Sequence, residues 1–171
     1  RTHRKNSGIP VISLLGYTNA GKSSLLNMLT KSQVTAENKL FSTLDPVTRK
    51  IRLPSGQTAL VTDTVGFIQK LPPSVVSAFR ATLEEAHESS VILQVVDITN
   101  PNAAAQTEVV ENILGDLDLL NKARILVLNK ADLLSSEQLP PNEMGTILTS
   151  ALSGFGIDDL LKEIQSCMNS F

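Results

Sequence analysis

Gly16-Tyr17-Thr18-Asn19-Ala20-Gly21-Lys22-Ser23 decides the architecture of this chain. The octapeptide matches G-x-x-x-x-G-K-[ST]. It stands between an apolar run, Ile9 to Leu15, and a segment whose Leu25, Leu26, Met28 and Leu29 share one helical face. Strand, loop, helix is the order that a phosphate cradle requires. Glycines let the backbone curl so that its N–H groups converge on phosphate oxygens, and the new helix adds the positive end of its dipole there. Lys22 brings a point charge suited to β- and γ-phosphates. Ser23 offers a hydroxyl to Mg²⁺, a hard cation usually held by one or two protein oxygens together with phosphates and waters. The expected phosphate-binding set therefore runs from Gly16 through Ser24.

Working outward, Val47 to Leu53 alternates apolar and cationic residues, with Thr48, Lys50 and Arg52 on one face, as suits a strand near a sheet edge. Pro54-Ser55-Gly56-Gln57 is a turn leading into Thr58 to Asp63, which predicts an antiparallel hairpin. Val91 to Val96 and Arg124 to Leu128 are nearly continuous apolar runs, the pattern of parallel strands buried on both faces. Helical spacing links Val76, Phe79, Leu83 and Ala86. It also links Val109, Val110, Ile113, Leu117 and Leu120, in a helix opened by Asn100-Pro101. The last helix carries Ile157, Leu160, Leu161, Ile164, Cys167 and Met168 on one stripe, with Asp158 and Asp159 in its first turn. The fold class predicted is α/β: a mostly parallel six-stranded sheet with one antiparallel strand and helices on both faces. Such sheets bind ligands at the carboxyl ends of their strands.

Two further motifs address the nucleotide. Asp63-Thr64-Val65-Gly66 ends an apolar strand, where the aspartate is expected to reach a phosphate-bound Mg²⁺ through water and the Gly66 N–H to meet a γ-phosphate. The Thr43 hydroxyl, in Leu40-Phe41-Ser42-Thr43-Leu44-Asp45-Pro46, is a candidate second metal ligand. The expected metal set is thus Ser23, Thr43 and Asp63, and the expected catalytic set is Lys22, Thr43 and Gly66. Asn129-Lys130-Ala131-Asp132 follows a buried strand and carries a carboxylate suited to guanine. Guanine presents N1–H and N2–H₂ donors to that carboxylate, whereas adenine presents an acceptor and leaves it unpaired. Charge-assisted bonds are worth roughly 1.5–3 kcal/mol each, so two discriminate by about 3–6 kcal/mol. Asn129 is expected to read the other edge of the base and brace the phosphate loop, with Lys130 lying along the ring. The backbone of Ser150-Ala151-Leu152 is expected to donate to the guanine carbonyl.

This ordered set resembles a translation-factor-related GTPase domain, the P-loop G domain, over nearly the whole chain. Four longer strings resemble the HflX family of the Obg-HflX superfamily: Gly16 to Ser23, Leu40 to Arg49, Asp63 to Ile68, and Ala78-Phe79-Arg80-Ala81-Thr82-Leu83-Glu84-Glu85. The resemblance implies a GTP-hydrolysing switch that associates with the large ribosomal subunit through the full-length protein. It implies an N-terminal domain preceding residues 1–8, read as a linker, with the G domain over 9–171. It departs from glutamine GTPases at Phe67, which lacks any group to orient water. Hydrolysis is therefore expected to be slow unless a partner or ion completes the site, at or below about 10⁻³ s⁻¹. Asn19 resembles the K⁺-contacting asparagine of some relatives, and asparagine also tolerates the unusual backbone angles of such loops. Arg80 and His87 are assigned no chemical role.

Composition sets the outer bounds. With 171 residues and 42% hydrophobic content, the chain is one folded domain, and its formal charge of −2 argues against a broad nucleic-acid footprint or sequence-specific DNA binding. The lone Cys167 excludes an internal disulfide and is read as core packing. No apolar stretch approaches the ~18 residues of a membrane span, so no membrane association is expected. The expected state is a monomer, and the expected compartment is the cytoplasm or an organelle stroma or matrix. A competing reading is a nucleotide-dependent ribosome-binding module in which hydrolysis is incidental. An ATP-dependent kinase has no support from an N-K-A-D motif.

Overall fold

The computed structural model describes residues 9–17, 20–30, 47–63, 89–135, 137–140 and 145–169. Among these, β1 (Val11–Gly16) leads into α1 (Lys22–Thr30), then β2 (Val47–Arg52), β3 (Thr58–Asp63), β4 (Val91–Asp97), α2 (Ala103–Asp116), β5 (Ala123–Asn129), β6 (Thr146–Leu148) and α3 (Ile157–Asn169). A single 3₁₀ turn, Ala131–Leu133, follows β5. The strands form one six-stranded sheet in the order β2-β3-β1-β4-β5-β6. Only the β2–β3 pair is antiparallel; β1 pairs in parallel with β3 and β4, β4 with β5, and β5 with β6. This is the predicted sheet. The helix expected around Val76 to Ala86 lies outside the described residues, as do residues 1–8.

The apolar runs of β1 and β4 are continuous in sequence because each strand is buried on both faces, and their alternate residues serve different layers. Ile12 and Leu14 of β1, with Val91, Leu93 and Val95 of β4, pack against Leu25, Leu26 and Leu29 of α1 and Ile157, Leu160, Leu161 and Ile164 of α3. Leu15, Tyr17 and Ile92 turn to the other face and meet Val110, Leu114 and Leu119 at the end of α2. The hairpin turn is held by Leu53 N–H to Gln57 O at 2.9 Å, and it is tied to α3 where Ser55 N–H donates to Gln165 Oε1 at 2.8 Å. Cys167 packs half-buried against the α1–α3 layer, as expected.

The second helix differs from its sequence reading. It ends at Asp116 rather than continuing through Leu120, and Val109 is exposed rather than part of the apolar stripe. Asp118 adopts the left-handed region at φ 59°; its N–H donates to Gly115 O, and Leu119 N–H reaches back to Leu114 O at 2.8 Å. This is a Schellman closure, with an aspartate where glycine is usual. It folds Leu119 into the core against Leu114 and leaves Leu120 outside, so an apolar string that fits helical spacing belongs to two different structures.

Candidate functional site

Four strands deliver a chemistry-bearing residue to the same edge of the sheet: β1 ends at Gly16, β3 at Asp63, β4 at Asp97 and β5 at Asn129. β1 lies between β3 and β4, where the chain's path across the sheet changes direction, and that is where open α/β sheets form a crevice. The loop leaving β1 opens α1 at this point. Gly21 has φ +89°, and a Cβ there would collide with the Asn129 amide, so glycine is required by both backbone and space. A Cβ at Gly16 would run into the carbonyl oxygen of Val95 on the neighbouring strand. Thr18 and Asn19 lie outside the described residues, as do Thr43, Gly66 and Phe67.

Tyr17 belongs to the loop by its backbone alone, its carbonyl accepting from Ala20 N–H at 3.0 Å. Its ring is buried with Leu15, Ile92 and Val110 beneath the loop, and burial raises the phenol above its ordinary value. Lys22 begins α1 with its side chain only 6% exposed, and Nζ donates to Asp63 Oδ1 at 2.9 Å. A buried ammonium at the start of α1 thus meets a partly buried carboxylate at the end of β3. Ser23 and Ser24, on the first turn of α1, are exposed.

Asn129 is the brace of the site. Its Nδ2 donates to Ala20 O at 2.9 Å, while Oδ1 accepts from Thr149 Oγ1 and from Ala151 N–H, both at 3.1 Å. One buried amide therefore locks the phosphate loop to the segment after β6. The Ala151 N–H expected to face a base is held by Asn129 here, and the Ser150 N–H donates to Phe155 O at 2.9 Å. Ser150 contributes through its side chain instead: Oγ donates to Asp132 Oδ1 at 2.8 Å and fixes a carboxylate that is otherwise exposed. Leu152 is 84% exposed beside it.

Two residues hydrogen-bonded to the motif side chains were not singled out from sequence. Thr149 fixes Asn129. Asp97 accepts from Thr99 N–H at 2.9 Å and Thr99 Oγ1 at 2.6 Å through Oδ1, and from Lys130 Nζ at 3.0 Å through Oδ2. Burial pushes the Asp97 carboxyl up, but the Thr99 bonds and the Lys130 ammonium outweigh it and hold its pKa below the usual carboxylate value. The missed signal was an aspartate closing an apolar strand, the same feature that identified Asp63; ending the strand at Val96 hid it. Among the described residues no three His, Cys, Asp or Glu side chains form a metal cluster, and no helix is long and apolar enough to cross a membrane.

The family described as 50S ribosome-binding GTPase matches residues 11–130. GTPase HflX of Caldanaerobacter subterraneus subsp. tengcongensis is 48% identical over 165 residues, which make up 96% of this chain and 38% of that protein. GTPase HflX of Escherichia coli is 36% identical over 169 residues, 96% of this chain and 40% of the relative. The chain thus spans about two fifths of the length of these relatives. A GTP-binding protein from Sulfolobus solfataricus, solved in complex with GDP, superposes with a TM-score of 0.73 at 27% identity, covering 98% of this chain and 55% of that one. Translation elongation factor SelB from Methanococcus maripaludis, at 24% identity and a TM-score of 0.69 over 94% of this chain and 34% of its own, shares the fold.

Proposed function

Because the chain belongs to the HflX family of GTPases, we propose that it binds GTP and hydrolyses it to GDP and phosphate, acting as a switch that joins the large ribosomal subunit through the full-length protein. The observation that carries this reading is the convergence of Lys22, Asp63, Asn129 and Asp132 on one sheet edge, with Asn129 tying the phosphate loop to the base-reading segment. Asp132, exposed and steadied by Ser150, supplies the carboxylate whose two oxygens match the donor pair of guanine. The backbone N–H groups around Ala20 to Ser23 and the α1 dipole favour the phosphates. Lys22 exchanges Asp63 for a phosphate oxygen on binding, and Asp63 is thereby released for other contacts.

The donor chemistry of the site fits Mg²⁺. The exposed Ser23 hydroxyl and the Asp63 carboxylate are hard oxygens of the kind this ion takes beside phosphates and water. Ser23, Asp63 and, in this reading, Thr43 would hold it, and it would supply charge neutralisation to the β- and γ-phosphate oxygens. In the same reading Phe67 provides no water-orienting group, so turnover is slow without a partner, and Asn19 is the residue to test for a K⁺ requirement.

Single-turnover GTP hydrolysis with and without large ribosomal subunits tests the proposal. Wild type should turn over slowly alone and faster with subunits, and Lys22→Ala should show neither GTP binding nor turnover. Wild-type binding with no turnover under either condition would favour the binding-module reading, and equal GTP affinity in Lys22→Ala would contradict the site.

A further inference from the structure

Lys130 stands between Asn129 and Asp132 and has left-handed backbone angles, φ 68° and ψ 30°, rare for a residue with a side chain. Its side chain, 34% exposed, crosses from the end of β5 to the end of β4, where Asp97 Oδ2 accepts a hydrogen bond from the ammonium at 3.0 Å. Asp97 is itself held. Its side chain is 9% exposed, and both the N–H and the hydroxyl of Thr99 fix Oδ1, which leaves Oδ2 aimed at Lys130. The strands beneath are in register, Asp97 opposite Asn129, and Ile98 N–H donates to Asn129 O at 3.1 Å. The anchor on β4 is thus as rigid as the sheet. With Asp97 buried and Lys130 half-buried, the net contribution of the pair to stability is its attraction set against desolvation of the carboxylate. Its effect on a ligand is different, because a lysine already ordered loses less side-chain entropy when a base packs on its stem.

We propose that Asp97 is a positioning residue for guanine-nucleotide binding: it anchors the Lys130 ammonium so that the methylene stem lies ready across the carboxyl ends of β4 and β5. This rests on the nucleotide-binding reading above and adds to it a residue outside the motifs that defined the site. Thr99 completes the device by fixing the carboxylate, so a loop that follows β4 sets the readiness of a loop that follows β5.

The experiment is a double-mutant cycle on the release of N-methylanthraniloyl-GDP, chased with excess GDP, for wild type, Asp97→Ala, Lys130→Met and the double variant. Asp97→Ala and Lys130→Met should each speed release by about tenfold, a factor in the range of a hydrogen bond to a charged group. The double variant should release no faster than Lys130→Met alone. Asp97→Asn, nearly isosteric and able to keep the Thr99 bonds, should also speed release, and it serves if Asp97→Ala does not fold. Unchanged release in Asp97→Asn, or additive effects in the double variant, would overturn the proposal. A wild type that retains no labelled GDP would instead bring down the nucleotide reading itself, so the two failures are distinguishable.

Discussion

At the scale of single residues, the site depends on polar groups that are satisfied internally before any ligand arrives. Asn129 commits its amide to Ala20, Thr149 and Ala151, and Lys22 commits its ammonium to Asp63. Their motifs were legible in sequence, and so was the bracing of the phosphate loop by Asn129. The Thr149, Ala151 and Asp63 partners were not, because G-K-S and N-K-A-D name residue types at fixed spacing and say nothing of groups 20 to 41 positions away. Asp97 shows what this arrangement does to titration. Its folded pKa lies below its unfolded value of about 3.9, so the stability it contributes is fully present above that value and is lost as pH falls through the folded pKa. Urea unfolding followed from pH 6 to pH 3 should therefore show a shallower loss of stability in Asp97→Asn than in wild type. Parallel pH dependences in the two proteins would show that the carboxylate is not held low in the folded state.

At the scale of elements, hydrophobic period decided most of the outcome. α3 keeps one stripe inward, with Leu160 and Ile164 fully buried, and its Asp158 and Asp159 occupy the first turn where the helix dipole favours them. Ile164→Ala should cost about 2–5 kcal/mol in chemical denaturation, while Lys162→Ala on the exposed side should change stability by less than about 0.5 kcal/mol. Equal effects would mean that the stripe does not form the layer that supports β4 and β5. The hairpin β2–β3 and the doubly buried strands were readable because turn residues and apolar runs bounded them sharply. The end of α2 was not, since Leu117, Leu119 and Leu120 continue an apolar string while the backbone reverses at Asp118. Periodicity reports which residues want burial; it does not report where a left-handed residue ends the helix that would bury them.

At the scale of the whole molecule, the parallel sheet gathers the ends of β1, β3, β4 and β5 at one crevice, and the proposed guanine-nucleotide site is built from what those ends carry. That the sheet is mostly parallel with one antiparallel strand was legible from the apolar runs and the single hairpin, whereas the order of the strands was not. In the proposed reading Asp132 selects the base through its hydrogen-bonding chemistry. The most direct test of the central claim is a calorimetric titration of this chain with GDP and ADP, repeated on Asp132→Asn with GDP and xanthosine diphosphate. GDP should bind wild type at least a hundredfold more tightly than ADP, in keeping with two charge-assisted bonds lost to adenine, and Asp132→Asn should weaken GDP while strengthening the xanthine nucleotide, which presents an acceptor at the 2-position. Equal affinities of wild type for GDP and ADP, or a preference for GDP that survives Asp132→Asn unchanged, would contradict the account.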